Sequence, residues 1–253
     1  MAVITLLTDF GLSDTYVGQV KGAILAIAQD APLVDLTHAV PPQDVQAGAF
    51  LLWSAVEVFA AGTVHLAVVD PGVGSKRRAI AIRSRRGDLF VGPDNGLLLP
   101  AVTRLGGTNL AVELTDERYW RSSPSRTFHG RDIFGPVAAH LASGAPLEAV
   151  GQPISDFHRL ELPEPRGLAG EVIHVDAFGN LVTNLPADRL PARYRVTLEG
   201  HMVSPAPHYQ AVKPGELLAL VGSAGLLEIS ARDASAAGLT GATRGTPVHV
   251  EPL

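Results

Sequence analysis

Three short stretches of the chain each combine an aspartate with glycines, which let a ligand approach the backbone closely. A fourth stretch carries a histidine beside an arginine and an aspartate. Carboxylate, guanidinium and imidazole groups can together move protons and hold charged or hydroxylated ligands. The stretches are Thr8-Asp9-Phe10-Gly11-Leu12-Ser13-Asp14, Asp70-Pro71-Gly72-Val73-Gly74, Gly92-Pro93-Asp94-Asn95-Gly96 and Phe128-His129-Gly130-Arg131-Asp132.

Each stretch by itself also has a purely structural interpretation. Asp-Pro-Gly and Pro-Asp-Asn-Gly are good turn sequences. Asp14 is suited to the first turn of a helix, where a carboxylate favours the macrodipole, and Arg131 can simply pair with Asp132. The triplet Asp9-Phe10-Gly11 matches the metal motif of protein kinases, but the other kinase motifs are missing, which excludes a kinase.

The elements that precede these stretches decide between the two interpretations. Val3–Thr8 leads to Asp9 and Val64–Val69 leads to Asp70, and both runs are almost continuously apolar, as in buried parallel strands. Ligands of an open α/β sheet bind at the carboxyl ends of its strands. Asp70, Arg77 and His129 are therefore expected in loops that can meet at one rim of the sheet.

The remaining elements of the first half alternate strand and helix patterns. This alternation predicts a doubly wound α/β/α sheet domain over residues 1–152. The strand-like runs are Leu33–Leu36, Ala79–Ile82, Leu89–Val91 and Leu110–Leu114, and the helical ones are Ser13 (as the cap) to Ala28, Val45–Phe59, Leu97–Leu105 and Ile133–Leu141.

The pattern changes after about Gly151. Residues 153–169 contain three prolines in a polar context, which predicts a linker. Over residues 170–253, short β-type runs are broken by glycine and proline, and they predict a smaller all-β, barrel-like domain. The runs are Glu171–Asp176, Leu181–Thr183, Tyr194–Leu198, Leu217–Val221 and Leu226–Ile229.

Composition excludes several classes of function. The formal net charge of −5 and the lack of a basic stripe disfavour a nucleic-acid partner. The chain contains no cysteine, which excludes disulfides, thiolate nucleophiles and cysteine-based zinc sites. No apolar run is long enough for a bilayer, and the amino terminus is typical of a strand, not of a signal peptide. We expect a cytoplasmic protein without a membrane partner.

Five motifs in order resemble the SAM hydroxide adenosyltransferase family. Its members are adenosine-forming hydrolases of S-adenosyl-L-methionine (SAM), related to the fluorinases and chlorinases. The resemblance runs from Ile4 to about Ala237. The motifs are Thr8-Asp9-Phe10-Gly11, Val68-Val69-Asp70-Pro71-Gly72-Val73-Gly74, Val91-Gly92-Pro93-Asp94-Asn95-Gly96, Thr127-Phe128-His129-Gly130-Arg131-Asp132, and Phe178-Gly179-Asn180 with Thr183-Asn184.

The resemblance implies a fold, an assembly and an activity. The fold is an N-terminal α/β domain followed by a β-barrel. The assembly is a homotrimer in which SAM lies between the N-terminal domain of one subunit and the C-terminal domain of its neighbour. The activity is attack of water on C5′ of SAM, which yields adenosine and methionine and requires no metal or other cofactor.

Residue roles follow from the same resemblance. Asp70, Arg77 and His129 match the water-handling triad. Asp9 would hold the ribose hydroxyls, and Asp14 would lie toward the methionine moiety. The other positions expected to contact substrate are Phe128 and Gly130 beside the triad, Phe178 and Asn180 at adenine, and Asp176 and Ser223 at the methionine ammonium and carboxylate.

Departures from the halogenases favour hydrolysis. Halogenases have Tyr-Pro where this chain has Asp70-Pro71, and no candidate is found for their extra N-terminal loop. Where the fluorinase has a tryptophan near adenine, this chain has Val182, and Tyr209 is a candidate for the missing stacking. The alternatives are a SAM-dependent halogenase, a non-catalytic SAM or adenosine sensor, and a metal-dependent phosphoesterase that uses Asp9, Asp70, Asp94 and His129.

The leaving group of this reaction needs little assistance from the enzyme. A sulfonium leaves as a neutral thioether, so no general acid is required. The enzyme must aim an oxygen nucleophile at C5′ and make it nucleophilic. Asp70 or His129 can accept a proton or orient the water, while Arg77 can fix Asp70 or stabilise a bound hydroxide directly. The sequence leaves open which of these residues is the base.

Overall fold

A computed structural model describes all residues, 1–253. The chain divides into two compact units, Met1–Glu161 and Leu162–Leu253, each described by itself below. The first part of the segment 153–169 belongs to the first unit. Residues Gln152–Ile154 pair with a neighbouring strand, and the apolar side chains of Phe157 and Leu160 pack against the core. These apolar side chains explain why a proline-containing stretch is held in place.

The first unit alternates strands and helices along the chain. Its strands are β1 (Ile4–Thr8), β2 (Leu33–Thr37), β3 (Val64–Val68), β4 (Ala79–Ser84), β5 (Leu89–Pro93), β6 (Thr108–Glu113) and β7 (Gln152–Ile154). Its helices are α1 (Tyr16–Leu25), α2 (Val45–Ala55), α3 (Leu99–Arg104) and α4 (Gly135–Ala142).

The seven strands form one sheet in the order β2-β1-β3-β5-β4-β6-β7. Strands β2, β1, β3 and β5 are parallel to their neighbours. Helices α1 and α4 contribute to the core on one face, and α2 and α3 contribute to the core on the other. Every residue of β1 and β3 is buried, which explains their continuous apolar runs. The predicted α/β/α architecture is confirmed.

Several details differ from the sequence prediction. Strand β4 is antiparallel to both β5 and β6, so the sheet is mixed. Ser13 does not cap the first helix, because α1 begins at Tyr16 and Thr15 is its N-cap residue, without a side-chain capping bond. The helix predicted over Val45–Phe59 ends at Ala55 and continues as one 3₁₀ turn, Val56–Val58.

The second unit is an antiparallel, nearly closed β-barrel, as predicted. Its order is β11-β10-β14-β8-β9-β13-β12. The segment after β11 hydrogen-bonds to β12 through Ala206 N and Ala219 O at 2.8 Å, which brings the two edges together. The elements are β8 (Ala169–Val175), β9 (Leu181–Pro186), β10 (Tyr194–Leu198), β11 (His201–Val203), β12 (Leu217–Val221), β13 (Leu226–Ala231), α5 (Ala236–Thr240) and β14 (Pro247–Pro252). No helix of either unit has the length and apolar character needed to cross a bilayer.

Candidate active site

The parallel strands β1 and β3 set the rim on which the site is built. Their register pairs Thr8 with Val68, and neighbouring strands lie about 5 Å apart. Asp9 and Asp70 therefore emerge side by side at the carboxyl ends of the strands. This is the position at which open α/β sheets bind their ligands.

Asp70 forms a tight ion pair with Arg77. Arg77 Nε lies 2.9 Å from Oδ1 and 3.0 Å from Oδ2 of Asp70, and Arg77 NH2 also donates to Oδ2. The Asp70 side chain is only 6% exposed and the Arg77 side chain only 10%. Such charge-assisted bonds are strong and fix the carboxylate plane. Each carboxylate oxygen has two lone pairs, so the ion pair leaves acceptor capacity for a further ligand.

His129 completes the group through the same guanidinium. Its Nδ1 lies 2.9 Å from Arg77 NH2. A guanidinium can only donate, so Nδ1 must accept, and the proton of the neutral ring must sit on Nε2. Burial lowers the pKa of His129 below its ordinary value of 6.5, and the charge of Arg77 lowers it further. His129 is therefore a neutral imidazole at pH 7, with Nε2–H as the hydrogen-bond donor.

Close backbone packing brings the two loops of this group together. Gly74 has a φ of +76°, and a Cβ at this position would lie 2.4 Å from the carbonyl oxygen of Arg126. Only glycine therefore allows the loop of Asp70 and Arg77 to approach the segment before His129. The Arg77 guanidinium also lies over the buried Phe134 ring, 5.1 Å from its centroid, which limits where that side chain can point.

A π-helical turn, Gly130–Phe134, follows His129 and leads into α4. Turns of this kind are rare and occur frequently at functional sites. Within it, the buried Asp132 accepts from Ser125 N at 2.9 Å and from Arg131 Nε at 2.7 Å. The predicted Arg131–Asp132 pair therefore exists, and the bond from Ser125 N to Asp132 holds the segment before His129 in place.

Asp9 is oriented by the backbone. Its Oδ2 accepts from Gln43 N at 2.8 Å, and Gln43 has a φ of 65°, a left-handed conformation that is uncommon for a residue other than glycine. The remaining carboxylate lone pairs of Asp9 are available to hydroxyl donors. Asp14 lies on the exposed loop before α1.

Three aromatic rings border the loop beyond Asp9. Phe10, Tyr16 and Phe128 contact one another edge to face, with centroids 5.3 to 6.2 Å apart. They line a pocket of about 390 Å³. A Cβ on Gly130 would lie 3.3 Å from the Phe10 ring, so these rings adjoin the residue after His129.

In the second unit, Asp176 organises the turn between β8 and β9. Its Oδ1 accepts from Phe178 N and Asn180 N, both at 2.9 Å, and its Oδ2 accepts from Asn180 Nδ2 at 2.9 Å. These bonds leave one lone pair on Oδ2. The Phe178 ring is 79% exposed, which is unusual for a ring of this size and leaves a face free for stacking.

Phe178, Asn180 and Tyr209 line a pocket of about 470 Å³ in this unit. Tyr209 donates to Oε1 of the buried Glu228 at 2.9 Å. Burial and this bond raise the pKa of Tyr209 to about 12, so its phenol stays neutral. Arg232 also lines this pocket. The sequence does not identify it as a site residue, because a basic residue at the end of a strand belongs to no motif.

Ser223 belongs to a different connection of the second unit. It is exposed in the connection between β12 and β13, which adjoins the Pro186 end of β9, as the pairing of Leu226 with Pro186 shows. Asp176 precedes the opposite end of β9. The structure thus brings Asp176, Phe178, Asn180 and Tyr209 together, and Ser223 is not among the residues that line the pocket of Phe178, Asn180 and Tyr209.

Comparison with known proteins matches both units to one family. The model of the SAM hydroxide adenosyltransferase N-terminal domain matches residues 4–151, and that of the C-terminal domain matches residues 170–249. A structure of an uncharacterized conserved protein from Thermotoga maritima is similar, with a TM-score of 0.93 and 36% identity over 98% of this chain and 100% of that one.

Two named relatives indicate where in the family the chain lies. An (R)-S-adenosyl-L-methionine hydrolase from Salinispora arenicola is 43% identical over 98% of this chain and 97% of the relative. A fluorinase from Nocardia brasiliensis is 29% identical, with 93% and 92% covered. The similarity to the hydrolase is clearly greater. The chain belongs to the SAM hydroxide adenosyltransferase family.

Proposed function

We propose that this enzyme hydrolyses SAM to adenosine and L-methionine. The observation that carries the proposal is the contact of Arg77 with both Asp70 and His129 at the rim of the sheet. The identity to a named SAM hydrolase supports the same reaction. We also infer that the substrate has the R configuration at sulfur, because the relative's name specifies it.

In this reaction, water oxygen forms a bond to C5′ while the C5′–S bond breaks. The bonding pair leaves with sulfur, which changes from a cationic sulfonium to a neutral thioether. One water proton must be removed. We assign its removal to Asp70, whose Oδ1 keeps one free lone pair beside Arg77. Because sulfur leaves without protonation, we expect the reaction to proceed without a metal or other cofactor.

His129 has a different role in this proposal. With its proton on Nε2, the neutral ring donates to the water oxygen and does not act as the base. Arg77 holds the Asp70 carboxylate and the His129 tautomer at the same time. A water molecule that donates to Asp70 and accepts from His129 is positioned at two points, and positioning of this kind supplies much of the rate in displacement reactions.

The remaining substrate contacts are proposed from the family resemblance and the local geometry. Asp9 binds the ribose hydroxyls, and Asp14 and Phe128 face the methionine moiety. Phe178, Asn180 and Tyr209 contact adenine. Asp176 binds the ammonium, and Ser223 remains a predicted carboxylate contact. We further propose a cytoplasmic homotrimer in which a neighbouring subunit completes each site. Light scattering measures the molar mass of the assembly and so tests the trimer.

Hydrolysis is favoured over halogenation by the charge at the nucleophile site. A halide placed beside the Asp70 carboxylate is repelled, whereas a water molecule is bound by it. Incubation with resolved (R)- and (S)-SAM, with and without chloride or fluoride, tests the proposal. Adenosine and methionine from the R form support it. The appearance of 5′-halo-adenosine, or the absence of adenosine from both forms, would refute it.

The titration of His129 should appear as an acid limb in the pH profile of kcat. Because burial and Arg77 lower its pKa, the ring stays neutral until the pH falls below 6.5. Protonation then places Nδ1–H against Arg77 NH2 and breaks their hydrogen bond. We expect kcat to be constant near neutrality and to fall with a midpoint below pH 6.5. The exposed His249 provides a control, and His249→Gln should leave the profile unchanged. A midpoint above 6.5 would contradict the assignment.

A further inference from the structure

The turn after β5 connects the two chain segments that carry the Asp70–Arg77 pair. It consists of Asp94 and Asn95, whose side chains contact the chain at the two ends of the loop 70–77. Asn95 contacts the residue before Asp70, and Asp94 contacts the residue after Arg77. Sequence analysis assigned this stretch either to a simple turn or to a functional loop.

Asn95 fixes the backbone that leads into Asp70. Its Nδ2 donates to the carbonyl oxygen of Val69 at 2.8 Å, and its Oδ1 accepts from Leu97 N at 3.1 Å. These two bonds determine which way the amide points, since exchanging N and O would place two acceptors and two donors against each other. Val69 is the last buried residue before the reactive carboxylate.

Asp94 fixes the backbone that leads away from Arg77. It is 3% exposed, and its Oδ2 accepts from Arg78 Nε at 2.9 Å. Its backbone N donates to the carbonyl oxygen of Arg78 at 2.9 Å, and its Oδ1 accepts from His158 N at 2.7 Å. Arg78 is thus held by both its side chain and its backbone, directly beside Arg77.

We propose that Asn95 and Asp94 are positioning residues for the reaction. They hold the chain on either side of the loop 70–77 and thereby set the distance from the Asp70 carboxylate to the Arg77 guanidinium. This inference rests on the proposed function, because it assigns to the turn a role in that reaction. Neither residue contacts the substrate; both act through Asp70 and Arg77.

The expected consequence is a loss of turnover without a loss of binding. A displacement of about 1 Å in reacting groups can cost on the order of 100-fold in rate. Asn95→Ala removes both side-chain bonds without adding charge. We expect kcat to fall by roughly 10- to 100-fold, while KM changes little because the substrate contacts remain.

A second readout separates positioning from general destabilisation. The charges that act on His129 are those of Arg77, Asp70 and Asp132. If Arg77 moves away in Asp94→Asn, its lowering effect on the His129 pKa weakens, and the titration of the ring moves to higher pH. If Asp70 moves away in Asn95→Ala, its raising effect weakens, and the titration moves to lower pH. NMR titration of the His129 imidazole measures this shift without turnover, so it remains informative even if SAM hydrolysis is not the reaction.

Asn184→Ala is the matched control. Asn184 also donates from Nδ2 to a backbone carbonyl, that of Pro163 at 3.0 Å, and accepts at Oδ1 from a backbone amide, that of Glu171 at 2.8 Å. Its two bonds involve neither the loop 70–77 nor a proposed substrate contact, so this variant should lose a similar amount of thermal stability and keep both kcat and the His129 titration of the wild-type enzyme.

Asp94→Asn provides an independent variant if Asn95→Ala does not fold. It keeps the side-chain volume and an acceptor for His158 N but removes one of the two carboxylate charges that hold Arg78, the other being that of Asp156. In Asp94→Asn, a reduced kcat, an unchanged KM and a raised His129 pKa together support the proposal. Wild-type kcat and titration in either folded variant would overturn it. Absence of hydrolysis by the wild-type enzyme would instead refute the proposed function.

Discussion

Asp70→Asn is expected to lower kcat for SAM hydrolysis by about 10²- to 10⁴-fold. Asparagine keeps the volume of the side chain but cannot take up the proton of the attacking water. It also turns an amide donor toward the Arg77 guanidinium, which has only donors. Adenosine affinity should be nearly unchanged, because the proposed nucleoside contacts come from other residues. Single-turnover kinetics and calorimetric titration with adenosine measure the two effects.

Asp116→Asn controls for the loss of a carboxylate–guanidinium pair as such. Asp116 accepts from Arg118 Nε at 2.9 and 3.1 Å, in the same two-oxygen arrangement as Asp70 with Arg77. It follows β6, which β5 and β4 separate from β3 in the sheet. This variant should hydrolyse SAM at the wild-type rate. If Asp70→Asn did so as well, the carboxylate would have no part in activating water.

Asp9→Asn is expected to weaken adenosine binding by about 10- to 100-fold, since hydrogen bonds to a charged group contribute about 1.5–3 kcal/mol. Gln43 N holds one oxygen of Asp9, and the remaining lone pairs are proposed to accept from the ribose hydroxyls. An amide presents a donor where the ribose needs an acceptor. Calorimetry with adenosine and with 2′,3′-dideoxyadenosine measures the effect.

The dideoxy nucleoside tests the ribose assignment specifically. It lacks both hydroxyls, so it should bind wild type and Asp9→Asn with similar affinity. Asp30→Asn, which alters an exposed aspartate after α1, should behave as wild type with both ligands. An Asp9→Asn variant with undiminished affinity for adenosine would show that this carboxylate does not hold the ribose.

Sequence patterns predicted the architecture because buried strands require continuous apolar runs, which are visible in the sequence. The apolar runs of β1 and β3 identify the centre of the sheet, and the ends of those runs identify the rim with Asp9 and Asp70. Strands β7, β11 and β14 were missed. Two of them have three residues each, too few for a periodic signal. β14 begins and ends with proline, a residue that argues against a strand.

The site was less predictable where backbone geometry decides it. The left-handed conformation of Gln43 and the π-helical turn after His129 have no sequence signature. Glu228 is a buried carboxylate within a strand, and no local pattern indicates that it tethers Tyr209. The link from Asn95 to Val69 spans 26 residues and becomes evident only when the strands are assembled.

Oxygen-18 water tests the central claim most directly, which is that the Asp70–Arg77–His129 group directs water to C5′. The enzyme is incubated with (R)-SAM in labelled water, and the products are analysed by mass spectrometry. We predict one labelled oxygen in the 5′-hydroxyl of adenosine and none in methionine. Label in homoserine or methanol, which would place the attack on another carbon of the sulfonium, or adenosine without label, would contradict the account.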